Sequence, residues 1–257
     1  MAPIKITFLG TGTSQGVPLI GCQCTICKSP HEKDKRLRSS ILIESETTTI
    51  VIDSGPDFRQ QLLRADVQKL DALVFTHSHK DHIAGMDDIR AFNYLQNKAM
   101  DVYATDETEQ VIRNEFPYIF ANLNYPGIPQ IILHRIDKEN NIQIGDINLQ
   151  PIEVLHYKMP VLGFRIKDFT YITDANFIDE KELKKVLGSK VLVLNALRRE
   201  KHISHFTLQE AIALSEHIKP TQTYFTHISH QLGLHNDVEN ELPNGINLAY
   251  DMLSIVI

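Results

Sequence analysis

The segment Thr76-His77-Ser78-His79-Lys80-Asp81-His82 constrains this chain more than any other. It follows Ala72–Phe75, a short apolar run that reads as a buried strand. Four potential metal ligands stand within six residues, from His77 to His82. A lone histidine in a polar loop is usually just solvated. Three imidazoles and a carboxylate packed at the end of a buried strand are not, because strand-end loops are where a rigid scaffold places chemistry. One residue separates His77 from His79, so an extended or tightly turned backbone can aim both rings the same way. Asp81 and His82 can then aim at a second position beside the first. Imidazole nitrogen and carboxylate oxygen suit a borderline divalent ion such as zinc, manganese or iron.

The rest of the chain alternates between two periodicities. Ile4–Leu9 reads as a strand stopped by Gly10-Thr11-Gly12, and Ser40–Glu44 and Thr48–Ile52 as a hairpin. Phe58, Leu62, Leu63 and Ala65 make a helical stripe. Val102–Ala104 is expected to be a strand. Thr105 can cap a helix to about Phe116, with Glu107 and Glu109 suiting its first turn. Tyr118–Gln130 reads as a loop or lid. Ile131–Ile136, Asn141–Ile144, Asn148–Leu155, Gly163–Ile166 and Phe169–Ile172 follow as strands, Asp179–Leu187 as a helix and Val191–Asn195 as a strand. Leu208–His217 reads as a helix, Thr223–Phe225 and Leu253–Val256 as the last strands. Two halves that each mix strands and helices predict an α/β fold, two sheets packed face to face with helices outside. No linker or repeat interrupts residues 1–257, so a single domain is expected.

Composition narrows the function. A net charge of −6 disfavours a broad basic face, so no stable nucleic-acid complex is expected. A small anionic substrate stays open, since a bound cation outweighs the total. The three cysteines all fall between Cys22 and Cys27, an odd, tight cluster unlike a disulfide framework and more like part of a metal site. The opening residues lack a charged segment leading into a secretory apolar core, and no apolar run reaches membrane-spanning length. A cytoplasmic location without membrane attachment is the expectation.

HSHKDH in this setting resembles the HxHxDH signature of the metallo-β-lactamase superfamily. The resemblance implies an αββα sandwich and further ligands downstream. His156 follows the expected strand Asn148–Leu155, Asp174 closes Tyr-Ile-Thr-Asp, and His227 closes Phe-Thr-His. By that resemblance His77, His79 and His156 hold one divalent ion, zinc or manganese. Asp81, His82 and His227 hold the other, and Asp174 bridges them. Two such ions about 3.5–4 Å apart bring a bridging water to near-neutral pKa and make it a nucleophile. Asp81 thus counts as a catalytic residue as well as a ligand. His205 precedes the helix Leu208–His217 and resembles the additional histidine of the superfamily's phosphodiesterase branches. A histidine there suits a general acid. His202 is its rival, less well placed relative to the helix.

Gly10-Thr-Gly-Thr-Ser-Gln-Gly-Val-Pro18 followed by Cys22-x-Cys24-x-x-Cys27 resembles the PhnP-like phosphodiesterases. It implies a structural zinc held by Cys22, Cys24, Cys27 and His230, tying the loop after the first strand to the loop of His227. The glycines match neither a Walker nor a Rossmann fingerprint and read as a turn for close backbone approach. The expected activity is hydrolysis of a small phosphodiester, cyclic ones included, by a monomer or homodimer. A tRNA 3′-end nuclease is the first alternative, but the stretch between Asp174 and His227 leaves little room for that branch's flexible arm. A β-lactamase or a glyoxalase-like thioesterase has no use for His205. A non-catalytic zinc module would leave seven ligands idle.

Overall fold

The computed structural model describes residues 3–121, 125 and 127–257. In chain order its strands are β1 (Lys5–Gly10), β2 (Ser40–Glu44), β3 (Thr49–Ile52), β4 (Ala72–Val74), β5 (Met100–Ala104), β6 (Ile131–Arg135), β7 (Ile142–Ile144), β8 (Ile147–His156), β9 (Met159–Ile166), β10 (Phe169–Tyr171), β11 (Val191–Asn195), β12 (Gln222–Thr226), β13 (Ile246–Leu248) and β14 (Ser254–Val256). The helices are α1 (Phe58–Arg64), α2 (Lys80–Ile83), α3 (Arg90–Gln96), α4 (Asp106–Glu115), α5 (Pro117–Phe120), α6 (Glu180–Val186), α7 (Leu208–Ile218) and α8 (His235–Glu241).

The strands form two sheets, ordered β14-β1-β2-β3-β4-β5-β6 and β13-β12-β11-β10-β9-β8-β7. Each is antiparallel on the side of its first strands in the chain and parallel on the other. In the first sheet β3, β4, β5 and β6 run parallel, and in the second β10 to β13 do. Covering both faces makes the central strands apolar throughout rather than alternating, as Ile50–Ile52 and Leu192–Leu194 show. Between the sheets lies one core that includes Ile6, Ile43, Ile52 and Val74 from one side and Phe164, Phe169 and Val193 from the other. Helices α1, α3 and α4 cover the outer face of the first sheet, through Phe58, Leu62, Phe92 and Ile112. Helices α6, α7 and α8 do the same for the second, through Val186, Leu208, Ala211 and Val238. Each of these side chains other than Ala211 contributes about 1.5–3 kcal/mol on burial. This is the αββα sandwich that the sequence led us to expect.

The expected Thr105 cap is present, its side chain accepting from the Thr108 amide at the start of α4. Helix α7 carries a reciprocal capping box of Thr207 and Glu210 that was not anticipated. Three expectations need correction. The strand expected to start at Gly163 starts at Met159, because it forms a hairpin with β8 through the two residues Tyr157 and Lys158. Helix α8 and strand β13 were not foreseen; neither shows a clear apolar period. Pro117 starts the one-turn α5 inside the region expected to be loop, and residues 122–124 and 126 of that expected lid lie outside the described residues.

Candidate metal centre and active site

The parallel strands run in the same direction, so their carboxyl ends share one edge of the sandwich, the usual place for a ligand site in such sheets. Asp53 follows β3, Thr76 and His77 follow β4, Asp174 follows β10 and His227 follows β12. The antiparallel β8 ends at the same edge with His156. Helix α2 starts directly after His79 and places Asp81 and His82 in its single turn. Asp53, Asp174 and His227 have left-handed backbones, with φ of 66°, 54° and 55°. A non-glycine residue in that region costs about 1–3 kcal/mol, a cost that tends to collect where a site dictates the geometry.

The structure brings together all seven side chains anticipated at this centre. His82 Nε2 lies 3.2 Å from Asp81 Oδ2 and 3.3 Å from Asp174 Oδ2, and His227 Nδ1 lies 3.1 Å from Asp174 Oδ2. These four residues can offer donor atoms to one ion. The His77 ring centre is 4.7 Å from that of His79 and 5.9 Å from that of His156, and His79 and His156 are 5.1 Å apart. Of this trio His156 is within ligand range of Asp174, and His77 and His79 are set beside His156 by their rings.

Three of the five histidines are oriented through their other nitrogen. His77 Nδ1 donates to Thr76 Oγ1 at 2.9 Å, His82 Nδ1 to Asp53 Oδ2 at 2.8 Å, and His156 Nδ1 to the Ser204 carbonyl at 2.9 Å. Among the described residues the buried Nε2 atoms of His77 and His82 have no hydrogen-bond partner, and His82 Nε2 faces only the Asp81 and Asp174 carboxylates expected to ligate beside it. A buried polar atom without a partner is costly, and an imidazole fixed at one nitrogen and bare at the other is built to ligate. The donor set therefore fits divalent ions.

Asp53 is the functional residue that sequence reasoning missed. It is fully buried and accepts from the Thr76 amide at 2.9 Å, from Thr76 Oγ1 at 2.9 Å and from His82. One carboxylate thus orients His82 directly and His77 through Thr76. In sequence, Asp53-Ser-Gly-Pro56 looks like a turn. The signal lay in the parallel pairing of β3 with β4, Ile52 opposite Val74, which brings the residues after both strands side by side.

The charges around the centre favour cations. Burial alone would lower His82, yet Asp174, Asp53 and Asp81 together push it well above the ordinary histidine range. Burial would raise Asp174, but His227 and His82 hold it well below the usual carboxylate range. Burial pushes His77, His156 and His227 down, leaving neutral imidazoles with lone pairs to offer. His205 lies with its ring centre 4.5 Å from His156 and 4.8 Å from His227, and burial, then His227, pushes it down to about 2. It is within ligand range of His156 and Asp174. His202 is farther out, 5.1 Å from the His205 ring.

The sulfur cluster also assembles. Cys22, Cys24 and Cys27 place Sγ atoms 3.5, 3.4 and 3.5 Å from His230 Nδ1. Tetrahedral zinc with bonds of about 2.3 Å to sulfur and 2.0–2.1 Å to nitrogen requires an edge of about 3.6 Å. The amides of Leu19 and Cys27 donate to Cys27 Sγ and Cys24 Sγ, each at 3.4 Å. The Cys27 amide and His230 pull the Cys24 thiol down to about 6, while burial pushes Cys27 up to about 11. One thiolate forms readily, and a second beside it needs a cation.

The mouth is a cavity of about 530 Å³ against His79 and His156, walled by Tyr157, Met159 and Ile203. Tyr157 occupies the hairpin tip with φ of 60°, its amide donating to Asn176 Oδ1 at 2.6 Å.

The β-lactamase superfamily domain model matches residues 48–228, most of the chain and all seven side chains of the centre. The chain belongs to the metallo-β-lactamase superfamily. Within this superfamily it is similar to a solved diphosphatase of the PhnP family, at 37% identity and a TM-score of 0.93, covering 99% of this chain and 97% of that one. It therefore falls in the PhnP-like subgroup. It is 36% identical over 256 residues to a Porphyromonas gingivalis protein named octanoyltransferase, covering 99% of this chain but 52% of that protein. It is 26% identical over 171 residues to a Staphylococcus epidermidis ribonuclease Z, covering 64% of this chain and 49% of the relative. The chain thus spans about half the length of these curated relatives. The two donor clusters described above fit the metal-binding fold of this superfamily. No helix among the described residues is long and apolar enough to cross a membrane.

Proposed function

We propose that the protein is a dinuclear metal-dependent phosphodiesterase acting on small organic phosphate esters. The observation that carries this reading is the convergence of His77, His79 and His156 on one side of Asp174, and Asp81, His82 and His227 on the other. Zinc or manganese bound there would supply an ionised water and neutralise charge on the phosphoryl oxygens. Asp174 would bridge the ions, with His77, His79 and His156 holding one and Asp81, His82 and His227 the other. Asp53 and Thr76 keep the His82 and His77 rings in their tautomers. His205, beside His156 and His227, would give a departing alkoxide its proton. Buried as a neutral imidazole, it gains that proton only beside an anion, and a bound phosphate provides one. The cysteine site would hold a structural zinc that fixes the loop of His227. The diphosphatase named among the similar structures and the ribonuclease Z relatives both act on phosphorus–oxygen bonds, which supports the reaction class. The net charge of −6 favours a small substrate over a long RNA.

The test is hydrolysis of bis(p-nitrophenyl) phosphate by zinc- or manganese-loaded protein, beside a tRNA precursor. Turnover of the diester is expected, and Asp174→Ala should abolish it. His205→Ala should slow a diester with a poor, alkyl leaving group by about 10²–10⁴-fold and spare nitrophenyl esters. Loss of bound metal in His205→Ala would instead make it a ligand. Processing of the tRNA precursor without turnover of small diesters would overturn the proposal.

A further inference from the structure

We infer that the cavity beside His79 and His156 is a subsite for a planar, apolar group on the substrate, with Tyr157 and Ile203 as its specificity-determining walls. This rests on the phosphodiesterase reading and names the kind of ester that site takes. The hollow offers about 530 Å³ and is broadly open to solvent, an apolar groove with more room than a phosphate alone requires. Its walls are Tyr157, Met159 and Ile203, with Lys158 and Ser204 beside them.

The backbone at Tyr157 points the same way. Register pairs His156 with Met159, so Tyr157 and Lys158 alone make the turn. Tyr157 takes the left-handed conformation, φ 60°, at a position where glycine or asparagine is the unstrained choice. Packing does not account for the tyrosine, because its side chain is 49% exposed. The Asn176 side chain holds the strained turn by its amide at 2.6 Å. Ile203 is 64% exposed across the mouth, two residues before His205. Two large apolar side chains thus stand open to solvent, one at a strained position, on the rim of a polar histidine centre. Lys158 places its ammonium over one face of the Tyr157 ring, 5.3 Å from its centre, which leaves the other face for a substrate ring. An anionic phosphate at the metals with a flat ring against Tyr157 satisfies all of these features.

Calorimetry on the zinc-loaded protein tests this without turnover, using phenylphosphonate and methylphosphonate as probes. The phenyl compound should bind at least tenfold more tightly. Tyr157→Gly and Ile203→Ser should each reduce that ratio severalfold, while Tyr157→Phe keeps it. Tyr157→Gly also removes the left-handed strain, so its melting temperature should hold or rise, which separates a lost contact from a lost fold. Equal binding of both probes to the wild type, or a ratio untouched in Tyr157→Gly, would overturn the subsite. Failure of either probe to bind, together with no diester hydrolysis, would instead strike the phosphodiesterase reading.

Discussion

At Asp53 a single carboxylate orients two of the seven ligands, His82 directly and His77 through Thr76. It accepts from His82 Nδ1 at 2.8 Å and from both polar groups of Thr76, which in turn receives His77 Nδ1. Replacing it by asparagine keeps the shape but offers only one accepting oxygen, and an amide turned toward His82 would oppose a donating Nδ1. Outer partners of this kind typically matter 10–100-fold in metal affinity. Asp53→Asn should therefore weaken zinc binding by about that factor in a chelator competition, with unchanged circular dichroism. The histidines and cysteines were legible in the sequence because ligation chemistry restricts them to few residue types at few spacings. Asp53 was not, because its role exists only once β3 lies parallel beside β4. His230 could be placed by resemblance, but its near-equal distances to three sulfurs are a property of the folded loops.

Among the elements, the β8–β9 hairpin shows how a local rule can mislead. A two-residue turn without glycine or asparagine gives no hairpin signal, and Pro160 argues against a strand. Yet β10 pairs with β9 only from Phe164 to Ile166, so Pro160 lies beyond the reach of that ladder. A second case is the start of α8. His235 is buried, its Nδ1 accepting from the Arg36 guanidinium at 3.0 Å, and its amide donates to Asp34 at 2.7 Å. Burial, then Arg36, pushes it down to about 3. In the unfolded chain it titrates near 6.5. Above that pH both states are neutral and the full stability is present. As pH falls from 6.5 toward 3 the unfolded chain takes up a proton that the folded one refuses, so stability declines across this window. Urea midpoints at pH 7.5 and 5 should show the decline, and His235→Gln, which still offers Arg36 an acceptor but cannot titrate, should show less of it.

Taken whole, the sandwich was readable from two halves that each mix strands and helices, and the family signature fixed which ends of which strands meet. The antiparallel-to-parallel switch within each sheet was not readable, since short apolar runs look alike in either direction. Substrate preference was equally hidden: Tyr157 and Ile203 look like ordinary surface residues until the hairpin and the loop before α7 face each other.

The histidine centre draws His77, His79, Asp81 and His82 from one sheet and His156, Asp174 and His227 from the other. An ion seated there is a rivet through the seam of the sandwich. Whatever free energy it gains by binding must be given back before the halves can part, so occupancy and mechanical integrity are one quantity. Chelation should then leave a chain that a protease cuts faster at low urea, with the fragments appearing together rather than one sheet surviving the other. Restoring zinc before the protease is added should return the cutting rate to that of the untreated protein.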